Sequence, residues 1–191
     1  MNDNTVKKEI LYTADKFLEM TDLPERCELI NGEIFDMSPS PNERHQDISE
    51  VVNYAMKDYV YKNKGKCRVY SAPFDVKLNE YTIVQPDLFI VCDRDKLDGK
   101  RCNGAPDWVI EIISPSSVDR DMREKLLLYS EAGVREYWII DPIKERVFVY
   151  LFGKPNITGF YTFNDNIRVN IYKDSTPPLD ICIARLLELL Q

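Results

Sequence analysis

The sequence predicts an α/β protein with a mixed central sheet flanked by helices, in the core order αβββαβ, preceded by an N-terminal helix and hairpin. Three observations predict it. Ile48, Val51, Val52, Ala55, Met56 and Tyr59 recur at spacings of three and four, laying one apolar face along a helix from about Glu43 to Asn63. Val69 to Leu78, Ile83 to Cys92 and Asp107 to Ile113 read as strands, the second apolar nearly throughout and therefore central. Ser114-Pro115-Ser116-Ser117 and Gly133 then bracket a helix from about Val118 to Ala132, followed by a strand at Glu136 to Asp141.

The remaining elements follow from local chemistry. Thr13 caps a short amphipathic segment that turns Phe17, Leu18 and Leu11 inward. Cys27 to Phe35 is two short runs around Asn31-Gly32, a pair that supplies the positive φ angles of a type I′ hairpin turn. Ser38-Pro39-Ser40-Pro41-Asn42 is a rigid connector, Pro73 marks an edge or bend, and Asp93 to Gly104 is a polar loop. Arg146 to Phe152 is a further strand after Asp141-Pro142. Beyond Gly153 come short strand-like pieces, a Pro177-Pro178 break and a helix at Ile183 to Leu190. The 191 residues are expected to form one domain, with a core over about 12–152 and an extension over 153–191 that completes the sheet or forms a dimer contact.

Composition narrows the function classes. Apolar residues make up 44% and charged residues 30%, as in an ordinary soluble protein. No apolar run approaches the roughly 18 residues of a membrane span. Met1 to Glu9 is polar and mixed in charge, unlike a signal peptide. Cys27, Cys67, Cys92, Cys102 and Cys182 are odd in number with no C-x-x-C pair, so reduced thiols in a cytoplasm are expected. One histidine makes a zinc site improbable. A net charge of −7 argues against coating nucleic acid non-specifically. Lys57, Lys62, Lys64, Lys66 and Arg68 form the main basic cluster, read as a solvated helix end or as a contact for a phosphate backbone.

The chemistry concentrates in Asp87, Glu111 and Lys125. Both acids lie in or beside apolar strand-like runs, where an unpaired carboxylate is costly. Side chains alternate along strands, so Asp87 and Glu111 share a face if their strands are neighbours. Two carboxylates there repel and call for a divalent cation; a nearby lysine suits a phosphate. Asp107 also follows a proline, but lies about 13 Å from Glu111 along an extended strand and reads as a strand-start residue.

Together these features resemble the PD-(D/E)XK nuclease superfamily and, more specifically, the restriction-endonuclease-like Uma2 family. The resemblance rests on Glu28-Leu29-Ile30-Asn31-Gly32-Glu33, Met37-Ser38-Pro39-Ser40-Pro41, His45, Pro86-Asp87, the run Gly104 to Ser117, Lys125, Tyr129 and Gly133 to Pro142, spread over about residues 12–152. It implies a Mg2+-dependent nuclease, with Mn2+ as a substitute, whose metal is held by Asp87, Glu111 and the backbone carbonyl of Ile112. The superfamily usually has lysine two positions after Glu111, where this chain has Ile113; Lys125, on the following helix, takes that role as in Uma2 members. The plainer alternative pairs Lys125 with Asp121 at i−4 on the surface. His45 is a candidate phosphate ligand or general base; the resemblance gives Glu28 a metal- or lysine-facing role, with Glu33 across the turn as its competitor and one of the two expected to be only solvated. Tyr129 reads as packing, and Trp108, Tyr137 and Trp138 as core.

Three function classes follow. The first is a cytoplasmic, metal-dependent endonuclease acting on DNA, as a homodimer if both strands are cut. The second is a nuclease fold that has lost catalysis and binds nucleic acid or a protein. The third is an interaction protein whose buried acids are merely paired.

Overall fold

Alternation along the central strands sorts their side chains onto two faces, and both faces are covered. The computed structural model describes residues 11–24, 26–37, 39–115, 117–153 and 157–190; Met1 to Glu9, Ser38 and Ser116, parts of the expected terminus, connector and helix cap, lie outside them. The first described elements are α1 (Ala14–Glu19), capped by the Thr13 hydroxyl, and a hairpin of β1 (Cys27–Ile30) and β2 (Glu33–Asp36). Asn31 and Gly32 turn it with φ of 52° and 84°, and a Cβ on Gly32 would meet the Leu11 Cβ at 2.9 Å. Leu11 itself is 55% exposed rather than inward, because it covers this turn and not the core.

Next come α2 (Glu43–Lys62), β3 (Arg68–Ser71), β4 (Val76–Asn79), β5 (Thr82–Val84), β6 (Leu88–Val91), β7 (Cys102–Asn103) and β8 (Trp108–Ile112). A π-helical turn over Arg120–Glu124 leads into α3 (Lys125–Ala132), which ends at Gly133 with φ of 92°. Then follow β9 (Glu136–Asp141), β10 (Arg146–Leu151), β11 (Ile157–Thr162), β12 (Ile167–Arg168), β13 (Asp180–Ile181) and α4 (Ile183–Leu187).

The main sheet has the order β11-β10-β9-β8-β6-β3, with β8 and β9 parallel and the other neighbours antiparallel. A second sheet has the order β2-β1-β5-β4-β7. The expected αβββαβ path is therefore present as α2, β3, β6, β8, α3 and β9, with two corrections. Val69 to Leu78 is not one strand but β3 and β4, and Ile83 to Cys92 is not one strand but β5 and β6; each pair is split between the sheets. Pro73 and Pro86 sit at the breaks. A residue without an N–H cannot donate into a ladder, so the chain leaves one sheet and enters the other there. The polar loop at 93–104 also contributes β7, parallel to β4.

Trp108, Ile110 and Ile112 pack with Leu88, Ile90, Trp138 and Ile140 against Ile48, Val51, Val52 and Met56 of α2. Val109 and Ile113 face the other way with Phe89, Val91, Tyr137 and Ile139, beneath Leu128 and Tyr129 of α3 and Val76 and Val84 of the second sheet. Phe163, Ile167, Val169, Leu179, Ile181 and Ile183 of the C-terminal extension join the α2 layer. Glu136 anchors that extension: its carboxylate accepts from Trp138 Nε1 at 2.7 Å and from the Ile171 amide at 2.9 Å.

The expectation of five reduced thiols is corrected at one pair. The β3–β6 register sets Arg68 against Val91, which brings Cys67 and Cys92 opposite each other with Cα atoms 3.9 Å apart and their sulfurs bonded. Cys27, Cys102 and Cys182 are free. The bond closes a loop with a sequence separation of 25, so its removal by Cys67→Ser with Cys92→Ser is expected to lower stability by about 3 kcal/mol in urea unfolding.

Burial pushes the Glu136 carboxyl up to about 7, against the pull of the Ile171 and Trp138 N–H groups. A carboxyl raised on folding favours the folded state fully below its unfolded pKa, and that contribution is lost as pH rises through the folded value. Stability should therefore fall between about pH 4.5 and 7 by on the order of 3 kcal/mol from this group. Urea unfolding across that range checks it: Glu136→Gln carries a constant cost and removes this part of the pH dependence.

Candidate active site

The break at Gln85-Pro86-Asp87 creates the site. Leu88 pairs with Ile110 and Phe89 with Val109, so the register carried one residue further sets Asp87 beside Glu111. The Asp87 amide donates to Glu111 Oε2 at 3.3 Å, and the Ile112 amide donates to Asp87 Oδ2 at 2.8 Å. Alternation along β8 turns Glu111 away from the α2 layer and toward α3.

There Lys125, the first residue of α3, meets it. Lys125 Nζ donates to Glu111 Oε1 at 3.0 Å and to Glu28 Oε1 at 2.8 Å, and lies 3.6 Å from Asp121 Oδ1. Glu28 comes from β1 in the other sheet and also accepts from the Gln85 amide at 2.9 Å, tying the two sheets together at the break. Glu28, Glu111, Asp121 and Lys125 are each between 1% and 4% exposed. His45, in the first turn of α2, places Nε2 3.1 Å from Asp87 Oδ2; its Nδ1 is buried without a hydrogen-bond partner. Its amide is held by the side chain of the N-cap Asn42.

The structure thus brings Asp87, Glu111, Lys125, Glu28, His45 and the Ile112 backbone into one cavity of about 540 Å³. Glu33 is exposed on the opposite hairpin strand, which separates the two hairpin acids. Asp107 caps the far end of β8, accepting from the Cys92 amide and pairing with Arg135. Of the basic cluster, Lys62 pairs with Asp58 on the exposed helix end, and none of its members lines the cavity. Trp108, Tyr137 and Trp138 are core residues, as expected.

Two further residues belong to the site. Asp121 is not a surface partner of Lys125 but a third buried carboxylate, carried inward by the π-helical turn. Such turns recur at functional positions because they re-aim side chains without breaking a helix. Tyr129 does more than pack: its hydroxyl donates to Glu111 Oε1 at 2.8 Å. The signal for both lay in the i−4 and i+4 spacing from Lys125, which puts all three on one helical face; their burial is what the spacing cannot show.

The electrostatics follow from one ammonium among three buried carboxylates. Burial works against the charged form of Lys125, yet Glu111, Glu28 and Asp121 hold its pKa well above the ordinary lysine value. Burial pushes Glu111 well above the usual carboxylate range despite the pull of Lys125, with Asp121, Asp87 and Glu28 adding to the rise. Asp121 rises for the same reason, and the Tyr129 phenol, buried beside Glu111, is raised well above its ordinary value. The charge inside is unbalanced, and a proton or a cation must make up the difference.

Among the described residues, no three His, Cys, Asp or Glu side chains are already drawn together as a metal-binding group; the site's acids are engaged with Lys125, Tyr129, His45 and backbone amides. The family model Uma2, described as "Putative restriction endonuclease", matches residues 14–170. The chain belongs to the Uma2 family. A crystal structure described as "a putative nuclease belonging to DUF820 from Anabaena variabilis" shares the Uma2 chain's fold, with a TM-score of 0.75 at 22% sequence identity, covering 94% of this chain and 99% of that one. No curated protein matches it. The family match runs past Gly153 through β12, further than the sequence motifs reach.

Replacing Lys125 leaves three buried acids without their shared counter-charge. Lys125→Met is expected to cost about 3–5 kcal/mol near pH 8, and less as the pH falls and the acids take up protons. Tyr129→Phe, which removes a single hydrogen bond to Glu111, should cost about 1–3 kcal/mol. Urea unfolding of each variant at two pH values checks both.

Proposed function

We propose that this Uma2 chain is a divalent-metal-dependent endonuclease that hydrolyses DNA phosphodiester bonds. The observation that carries the reading is the convergence of Asp87, Glu111 and Lys125, from three separate elements, on the floor of one cavity. Family membership supports a nuclease; the metal, the substrate and the residue roles are our own inference.

The donors fit a hard cation. Glu28 Oε2 is buried with no hydrogen-bond partner, no described hydrogen bond uses Asp87 Oδ1, and the net deficit of positive charge calls for a cation. Magnesium takes one or two carboxylates and keeps several waters. Asp87, Glu111 and the Ile112 carbonyl would hold Mg2+, with Mn2+ as a substitute. Bound there, such an ion polarises a phosphoryl oxygen and lowers the pKa of a coordinated water.

The chain's own residues do the rest. Lys125, held by Glu28 and Glu111, keeps its proton and sets a fixed positive charge at the floor. Glu28 and Tyr129 hold Lys125 and Glu111 in place. His45, with Nε2 3.1 Å from Asp87 Oδ2, orients that carboxylate. A double-strand break needs two such sites and hence a symmetric dimer, whereas nicking needs one.

Ile113, buried at 5% exposure where the superfamily usually carries lysine, favours a second reading, a catalytically degenerate module that binds nucleic acid or a protein partner. Incubation of supercoiled plasmid and single-stranded DNA with Mg2+, Mn2+ or EDTA separates the two. Metal-dependent cutting by the wild type, reduced at least a hundredfold in Asp87→Ala and in folded Lys125→Ala, is expected. No cutting by the wild type, with magnesium binding retained in calorimetry, would instead favour the degenerate module.

A further inference from the structure

We propose that the cavity takes a single DNA strand, one or two nucleotides deep, and not the side of an intact duplex; the inference rests on the nuclease reading and names its substrate class. The first observation is size. At about 540 Å³ the cavity falls in the range of pockets that enclose one small ligand, about 300–1,000 Å³, and is no groove for a double helix. The second is depth. Glu111 and Lys125 are almost wholly buried, and Asp87 is only 14% exposed, so the scissile phosphate must descend to them.

The walls carry the third observation. Met37, Pro39, Pro41, Pro115, Pro142 and Ile143, from three separate loops, line the cavity, and Ile143 stands out at 75% exposure. Apolar, proline-stiffened walls suit sugars and the faces of unstacked bases, which a duplex keeps inside. They offer nothing to the paired phosphate rows of a double helix.

Charge points the same way. Five carboxylates line the cavity against three permanent cations, Arg26, Arg120 and Lys125, and Lys125 is committed to Glu28 and Glu111. Arg26 keeps a buried Nε without a partner, and Arg120 sits over the Phe35 ring at 4.6 Å. These two arginines are left to meet phosphate. Duplex DNA carries one negative charge per about 1.7 Å, and proteins that hold it commonly make about 6–10 phosphate contacts. Two arginines in a chain of net charge −7 match the needs of a short single strand.

The test is fluorescence anisotropy with a labelled 12-nucleotide single strand and a hairpin duplex of the same sequence. Both are titrated in Ca2+ across a salt series and then incubated with Mg2+. The single strand should bind at least about tenfold more tightly. Two contacts at about 0.7 each give a slope near −1.4 in log K against log salt, and Arg26→Ala or Arg120→Ala should each reduce it by about 0.7. Equal or tighter duplex binding, or a slope steeper than about −4, overturns the inference. Duplex preference with Mg2+-dependent cutting overturns it while leaving the nuclease reading intact. Single-strand preference with no cutting upholds the strand choice and removes the hydrolytic reading, and binding to neither DNA removes both.

Discussion

One buried ammonium facing three buried carboxylates constrains this molecule more than any other contact. Lys125 is reached by Glu28 from the second sheet, Glu111 from the main sheet and Asp121 from the π-helical turn. Each element must therefore approach to within a side chain's length of one nitrogen. An ion group so far from water is not a source of large net stability, since desolvation offsets most of its attraction. Its effect is on specificity: any arrangement that separates the three elements leaves a buried charge alone.

The same junction explains why the chain switches sheets where it does. Pro86 ends β5, and the two residues beside it serve the site: the Gln85 amide holds Glu28, and the Asp87 amide holds Glu111. A continuous strand would have used those amides in a ladder. Breaking it turns backbone donors toward carboxylates, fixing two acids that would otherwise repel each other. On the other face, α2 and the C-terminal extension close the hydrophobic layer, so the floor of the cavity rests on a rigid sheet rather than on loops. The loops form only the walls.

The distribution of charge shapes what the site can receive. The lysine-rich end of α2, the densest positive stretch of the chain, is solvated and lies outside the cavity. Within the cavity the acids outnumber the permanent cations. A polyanion enters such a place only with a compensating cation and along the few positions where arginine meets it. Proline and aliphatic walls leave little to hold a wide, uniformly charged surface.

Much of this was legible in the residues alone. The period of α2, the Asn31-Gly32 turn, the Gly133 stop and the apolar runs are local signals, set by side-chain spacing and by which residues tolerate positive φ. Asp87 and Glu111 stood out because acids in apolar runs are costly; the role of Lys125 came from the family resemblance, which has a lysine where this chain has Ile113. Tertiary structure decided the rest. Where Pro73 and Pro86 divided single apolar runs between two sheets, the pattern was the same on either side of each break. The burial of Asp121, the hydrogen bond from Tyr129, the choice of Glu28 over Glu33 and the pairing of Cys67 with Cys92 all depend on which elements become neighbours. Spacing along one helix or strand reports a shared face, but only the packing of distant segments determines what that face meets.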